Sequence, residues 1–277
     1  MEPASGYAFP GPTHLHADIY PAIAPALTPS LHQPAKTILI TGAGRGIGRA
    51  TALQYAHAHV ARLILCARTA AQLDDVAACI AAINPAVRVR TYVLDVSDAA
   101  AVQRIAARVA LDMQADDGPD GARLDVLVNN AGAAEPWVPL AQADAEQWWR
   151  TFEVNLKGPF LCLHAFLPLL VATAAGPARA EGVHVVNVTS IGAMVVWPGA
   201  SAYQTSKLAL CRLTEFVAAE YGDKGVGAVS LHPGAVPTAL SEGIDAIKDC
   251  MHLFSPLPPS PHLSLLLWFI IIYHCAC

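Results

Sequence analysis

Charge is scarce in this chain of 277 residues: Asp, Glu, Lys and Arg make up 14% of it, against 54% for the apolar set. That balance is rich in apolar residues for a soluble protein and suits strands buried on both faces of a covered sheet. The 17 basic residues are spread out and the formal charge is -5. No basic stripe is available to neutralise phosphates, which sets nucleic acid aside as a partner. The seven cysteines, Cys66, Cys79, Cys162, Cys211, Cys250, Cys275 and Cys277, are odd in number and lack metal-ligand spacing. Free thiols in a reducing compartment are expected, with no metal site. The N-terminus shows no basic cluster followed by an apolar run, so no secretory signal is expected and a cytoplasmic location is. There is no composition break midway and no internal repeat, which favours one large domain.

Residues 1–35 form a proline-rich arm with Pro10, Pro12, Pro21, Pro25, Pro29 and Pro34, since proline fixes φ and withholds a ladder donor. From Lys36 short apolar runs alternate with longer helical stretches, the look of repeated βαβ units. Strands are expected at Thr37–Thr41, Arg62–Ala67, Val87–Leu94, Leu124–Asn129, Val183–Thr189 and Val226–His232. Helices are expected around Ala70–Ala82, Ala99–Leu111, Asp144–Val171 and Ser201–Tyr221, with a turn at Asp116–Gly121. The fold class is α/β, a single doubly wound parallel sheet over residues 36–240, followed by an atypical apolar tail over residues 241–277.

The first strand runs directly into Gly42-Ala43-Gly44-Arg45-Gly46-Ile47-Gly48 and then a helix. Glycines there let the backbone approach a pyrophosphate, while the new helix offers unpaired N–H groups and a positive dipole end. The wider spacing, Thr41-Gly42-x-x-x-Gly46-x-Gly48, resembles the short-chain dehydrogenase/reductase family. The resemblance implies a Rossmann-type fold and a nicotinamide cofactor held by Gly42, Arg45, Gly46, Ile47 and Gly48. In that family an acidic residue at the end of the second strand often binds the ribose hydroxyls. Here Ala67 stands in that place with Arg68 after it, so the resemblance implies NADP rather than NAD, Arg68 meeting the 2′-phosphate with Arg45 as a second candidate. Asp95 and Val96 resemble the pair that contacts the adenine. Asn129-Asn130-Ala131-Gly132 resembles the turn that supports the sheet and lines the nucleotide cleft, placing Asn129 and Gly132 there.

Tyr203 and Lys207 stand at i and i+4, neighbours on one helix face. A nearby lysine and an oxidised nicotinamide both favour the phenolate and bring its pKa toward the working range. By resemblance Tyr203 is the proton donor or acceptor, and both residues also touch the cofactor. Ser190, 13 residues upstream, corresponds to the family serine that holds the substrate oxygen, with Thr189 the alternative should the register differ by one. Asn155 corresponds to the asparagine that holds a water near the lysine on a proton path to solvent. Pro233, Val236 and Thr238 resemble the turn that anchors the nicotinamide carboxamide. The activity implied is interconversion of a carbonyl and an alcohol by hydride transfer in a homo-dimer or homo-tetramer, and the apolar residues expected at the pocket suit a medium-sized, partly apolar small molecule. The alternative is a cofactor-binding sensor or scaffold without turnover.

The resemblance is read from Lys36 to Thr238. Beyond it the usual seventh strand is not found, and the apolar run Leu263–Tyr273 has eleven residues where a membrane-crossing helix needs about 20. No membrane span is expected. The run is read either as a replacement strand or as sequence foreign to the working protein.

Overall fold

The apolar runs become six strands: β1 (Thr37–Thr41), β2 (Arg62–Ala67), β3 (Arg88–Val93), β4 (Val126–Asn129), β5 (Val183–Val188) and β6 (Val226–Leu231). The computed structural model describes residues 21–118, 122–176, 182–234, 236, 238 and 240. The sheet order is β3-β2-β1-β4-β5-β6 and every neighbouring pair is parallel. Among the described residues six α-helices accompany them: α1 (Gly46–His57), α2 (Ala70–Ile83), α3 (Ala99–Asp117), α4 (Ala145–Phe152), α5 (Gly158–Ala175) and α6 (Ser201–Tyr221). This is a doubly wound α/β fold of Rossmann type.

Side chains alternate along β1, so its two faces feed two cores. Ile38 and Ile40 pack with Ala52 and Ala56 of α1 and Leu73, Val76 and Ile80 of α2. Leu39 packs with Val102 and Val109 of α3, Phe166 and Leu170 of α5 and Val217 of α6. Each such aliphatic side chain contributes about 1.5–3 kcal/mol on burial, which explains why the central strands are apolar without a break.

Several boundaries differ from expectation. The turn expected over Asp116–Gly121 does not begin at Asp116, because α3 runs to Asp117; residues 119–121 lie outside the described residues. Asp116 stays in the helix, where its carboxylate meets Arg62 of β2 and Arg90 of β3. The strand runs expected around β3 to β6 are one or two residues too long. Thr189, for example, leaves the β5 ladder while its N–H still donates to the Leu231 carbonyl. The single helix expected over Asp144–Val171 is interrupted by a π-helical turn at Glu153–Lys157. The combined segment Ala145–Ala175 is long and apolar enough to cross a membrane by length and composition. Its Cys162, Leu163, Phe166, Leu167 and Leu170 are spent on the core.

The end of the N-terminal arm is fastened to the domain. Ala24 is buried, Gln33 N–H donates to the Ala58 carbonyl, and the His32 and His59 rings lie 4.2 Å apart. The rest of the arm, residues 1–20, and the tail with its expected missing or replaced seventh strand lie outside the described residues.

Candidate active site

The order of strands reverses at β1 and β4, and ligands of open α/β sheets bind at the carboxyl ends of strands beside such a switch point. The glycine-rich turn leaves β1 there and Asn130 leaves β4. Asn130 ties the two together: its Nδ2 donates to the Thr41 carbonyl at 2.9 Å and the Gly42 carbonyl at 3.2 Å, and its N–H donates to Thr41 Oγ1 at 3.0 Å. Gly42 has φ +66° and Gly46 φ +56°, the left-handed region that favours glycine. A Cβ on Gly48 would stand 2.3 Å from the Gly42 carbonyl oxygen, and one on Gly44 would stand 2.8 Å from Gln72 Oε1. Ile47 is half-buried in the first turn of α1, and Arg45 precedes that helix with no side-chain cap. A bare turn leading into uncapped helix N–H groups fits a cofactor pyrophosphate.

Ala67, at the end of β2, lies 3.3 Å from where a Gly44 Cβ would be, and exposed Arg68 follows at the rim. Asp95 stands nearby. Partial burial pushes its carboxyl up, but hydrogen bonds from the Ser97 hydroxyl and N–H, together with Arg68 and Arg150, hold it below the usual range. Val96 is buried, its Cγ2 2.7 Å from the place a Gly158 Cβ would take, so its side chain packs under α5. Asn129 also faces inward. Its Nδ2 donates to Asn187 Oδ1 at 2.8 Å, and Asn187 passes the chain on to Thr214 at 2.9 Å. It supports the sheet, while Asn130 and Ala131 border the turn and Gly132 lies beside Asn155 and Lys207. Pro233 and Val236 are half-buried beyond β6, and Thr238 Cγ2 lies 3.3 Å from the Cβ position of Gly46.

The four expected catalytic residues come together. The Ser190 hydroxyl faces the Tyr203 phenol, and Lys207 Nζ lies 5.8 Å from the Tyr203 ring centroid, donating to the Val188 carbonyl at 2.8 Å. Thr189, the alternative, turns its hydroxyl to the Leu231 carbonyl of β6 at 3.2 Å. Asn155 sits in the π-turn, fully buried. Its Oδ1 accepts from Ala133 N–H at 2.8 Å, and its Nδ2 donates to the Ala133 carbonyl at 2.8 Å and Ser206 Oγ at 3.0 Å. A Gly132 Cβ would fall 3.5 Å from Asn155 Oδ1 and 3.7 Å from Lys207 Nζ, so both side chains border the same point. Single π-turns inside helices commonly mark such functional positions.

Burial dominates the electrostatics. It raises the Tyr203 phenol above its ordinary range, the Ser190 hydrogen bond opposing and the Glu135 carboxylate adding to the rise. It also pushes the Lys207 ammonium down to about 8. Lys207 alone therefore does not draw the phenol into the working range; the expectation set an oxidised nicotinamide beside it.

Three participants carry no motif: Glu135, which accepts from Ala202 and Tyr203 N–H; Gln204, whose Oε1 accepts from Trp197 N–H; and His232. Ile191 N–H donates to His232 Nδ1 at 3.1 Å, which holds the turn after Ser190. Burial pushes the His232 imidazole down to about 4. An unfolded imidazole, near 6.5, takes up its proton first, so the stabilisation is complete above about pH 6.5 and is lost as pH falls toward about 4, to a total of about 3 kcal/mol. Urea unfolding at neutral pH and near pH 4.5 tests this. His232→Asn should lose less stability than the parent chain on acidification; equal losses would contradict it.

Among the described residues no group of three or more His, Cys, Asp and Glu side chains is placed to hold a metal ion. Cys66, Cys79, Cys162 and Cys211 are free thiols.

A family model for short chain dehydrogenases matches residues 36–248, ten residues past the Thr238 limit of the sequence resemblance. The short chain dehydrogenase mpl6 of Monascus purpureus is 42% identical over 245 residues, covering 87% of this chain and 77% of that protein. A 3-oxoacyl-(acyl-carrier-protein) reductase of Synechocystis is 32% identical over 213 residues, covering 76% and 78%. Among solved structures, the Pseudomonas aeruginosa RhlG/NADP active-site complex superposes with TM-score 0.67 at 28% identity, covering 79% of this chain and 80% of that one. Levodione reductase superposes with TM-score 0.68 at 28% identity, covering 79% and 78%. With the glycine turn, the Ser190–Tyr203–Lys207 cluster and these likenesses in agreement, the chain belongs to the short-chain dehydrogenase family of oxidoreductases.

Proposed function

We propose that this chain is an NADP-dependent reductase or dehydrogenase that interconverts a carbonyl and an alcohol on a small molecule. The observation that carries the reading is the meeting of Ser190, Tyr203 and Lys207 beside Asn155 at the open end of the sheet. A bound nicotinamide supplies or accepts the hydride at its C4. The chain does the rest. The Ser190 hydroxyl donates to the carbonyl oxygen as negative charge grows on it, a preorganised stabilisation in a partly dry site. The Tyr203 hydroxyl gives that oxygen its proton and is left as phenolate; alcohol oxidation runs the same transfer backward. Lys207, buried between the Val188 carbonyl and the phenol ring, favours the phenolate when charged, and Asn155 lies on the route by which the proton is replaced from solvent. Since burial and the Glu135 carboxylate raise the phenol, the positive charge of an oxidised cofactor would help to bring it down.

NADP is favoured by the absence of a carboxylate at Ala67 and by exposed Arg68 after it. RhlG was solved with NADP, while a xylitol dehydrogenase of similar fold was solved with NAD+. Arg68→Ala should weaken NADPH binding roughly tenfold to a hundredfold, the scale of a lost hydrogen bond between charged groups, and leave NADH binding unchanged. Fluorescence titration of both cofactors reads this; equal losses for the two would remove Arg68 from the 2′-phosphate.

The substrate reading is a medium-sized, partly apolar carbonyl or alcohol, supported by the Trp137 and Trp197 rings stacked 6.2 Å apart beyond Ser190. A cytoplasmic enzyme fits the buried free thiols of Cys66, Cys162 and Cys211. A homo-dimer or homo-tetramer fits the exposed Trp149, Phe160, Leu208 and Phe216 on α4, α5 and α6, faces on which a second copy would pack.

A further inference from the structure

We propose that Glu135 is a positioning residue for Tyr203, serving as the N-terminal cap of the catalytic helix from a distant loop. The proposal rests on the reading of Tyr203 as the proton donor.

Helix α6 begins without a cap of its own: Ala200 stands at the N-cap and offers no side-chain acceptor. Its first N–H groups have no partner within the helix. Those of Ala202 and Tyr203 both donate to Glu135 Oε1, at 3.0 and 3.2 Å. Glu135 Oε2 accepts from Thr151 Oγ1 of α4 at 3.3 Å. The carboxylate is 8% exposed, and it lies at the positive end of a helix of 21 residues, where negative charge is favoured.

The loop that carries Glu135 is itself fixed. Two residues earlier, Ala133 is clamped through its N–H and carbonyl by Asn155. Asn155 also donates to Ser206 Oγ, and Ser206 donates to the Tyr203 carbonyl at 2.7 Å. The backbone N–H and carbonyl of Tyr203 are thus both held by side chains, one through Glu135 and the other through Ser206 and Asn155. The circuit joins the loop after β4, the π-turn and α6 around one residue. Within it Glu135 fixes where the phenol stands relative to Ser190, and its charge acts on the phenol directly.

Gln at position 135 preserves the geometry. Its oxygen accepts from the same two N–H groups, and its amide donates to Thr151 Oγ1, which donates in turn to the Gln147 carbonyl 3.3 Å away. Glu135→Gln therefore removes only the charge. Glu135→Ala removes the cap and leaves the Ala202 and Tyr203 N–H groups without an acceptor.

The test compares the parent chain, Glu135→Gln and Glu135→Ala. It reads kcat, cofactor Kd and the ionisation of Tyr203, the last followed by near-ultraviolet absorbance as a difference from Tyr203→Phe in each background. Besides Glu135, the described groups facing the phenol are Lys207, one turn along α6, and the Ser190 hydroxyl on the loop after β5. Both remain in all three proteins. Glu135→Ala should lose kcat by about tenfold to a hundredfold, the scale of a misplaced reacting group, with cofactor Kd nearly unchanged. Glu135→Gln should recover most of kcat, and its phenol should ionise at lower pH than the parent's. A Glu135→Gln protein as impaired as Glu135→Ala, or phenol titrations that superimpose in all three, would overturn the proposal. Should the parent chain turn over no carbonyl compound, the functional reading fails and the phenol titrations still decide Glu135.

Discussion

Tyr203→Phe is expected to abolish turnover, by about a thousandfold or more, with cofactor affinity close to that of the parent chain. In the proposed mechanism the phenol hydroxyl is the proton given up to the substrate oxygen. Ser190 accepts from the Gly192 N–H at 3.0 Å, and its alcohol proton, far less acidic than a phenol's, steadies the substrate oxygen without being given up. Lys207 has an N–H committed to the Val188 carbonyl at 2.8 Å. A positioned proton donor contributes a factor of about 10²–10⁴, and neither neighbour can replace it. The substitution removes a single oxygen and keeps the ring, so packing around α6 changes little. Steady-state rates with a responsive ketone, alongside NADPH titration, give both numbers. A variant with near-parental rate would remove Tyr203 from the chemistry.

Gly48→Ala is expected to act on the other half of the site, weakening NADPH and NADH alike by roughly a hundredfold or more, equivalent to about 3 kcal/mol. The added Cβ would fall 2.3 Å from the Gly42 carbonyl oxygen and 2.5 Å from Asn130 Nδ2. Neither neighbour is a flexible side-chain end. The first is backbone, and the second is held by the Thr41 and Gly42 carbonyls. Relief requires the glycine turn to open, which moves the helix N–H groups away from a pyrophosphate. Gly176→Ala serves as the control, since its Cβ would meet nothing closer than 3.5 Å. Cofactor binding by Gly48→Ala equal to that of the control would show that the turn does not form the cradle.

The strands and α6 were readable because they rest on local pattern. β1 and β2 are short apolar runs bounded by Thr41, Gly42 and Arg68, and α6 has helical periodicity through Tyr203 and Lys207. The π-turn at Glu153–Lys157 was not readable, since the apolar pattern continues smoothly from α4 into α5. It is dictated by bonds from Asn155 to Ala133 and Ser206, 22 and 51 residues away in sequence. Glu135 was hidden for the same reason, its partners at Ala202 and Tyr203 lying 67 and 68 residues on. The choice between Ser190 and Thr189 needed the edge of β6, which claims the Thr189 hydroxyl. The direction of the Tyr203 shift depends on burial, which spacing along a helix does not reveal.

The central claim is hydride transfer from a nicotinamide to a carbonyl carbon. The most direct measurement uses NADPH deuterated at the nicotinamide C4, the purified full chain and a set of partly apolar ketones, with mass spectrometry of the products. The account predicts an alcohol carrying deuterium at its carbinol carbon, formed by the parent chain and absent with Tyr203→Phe. Tight NADPH binding with no deuterated alcohol from any ketone would contradict it and point instead to a chain that holds the cofactor without turning it over.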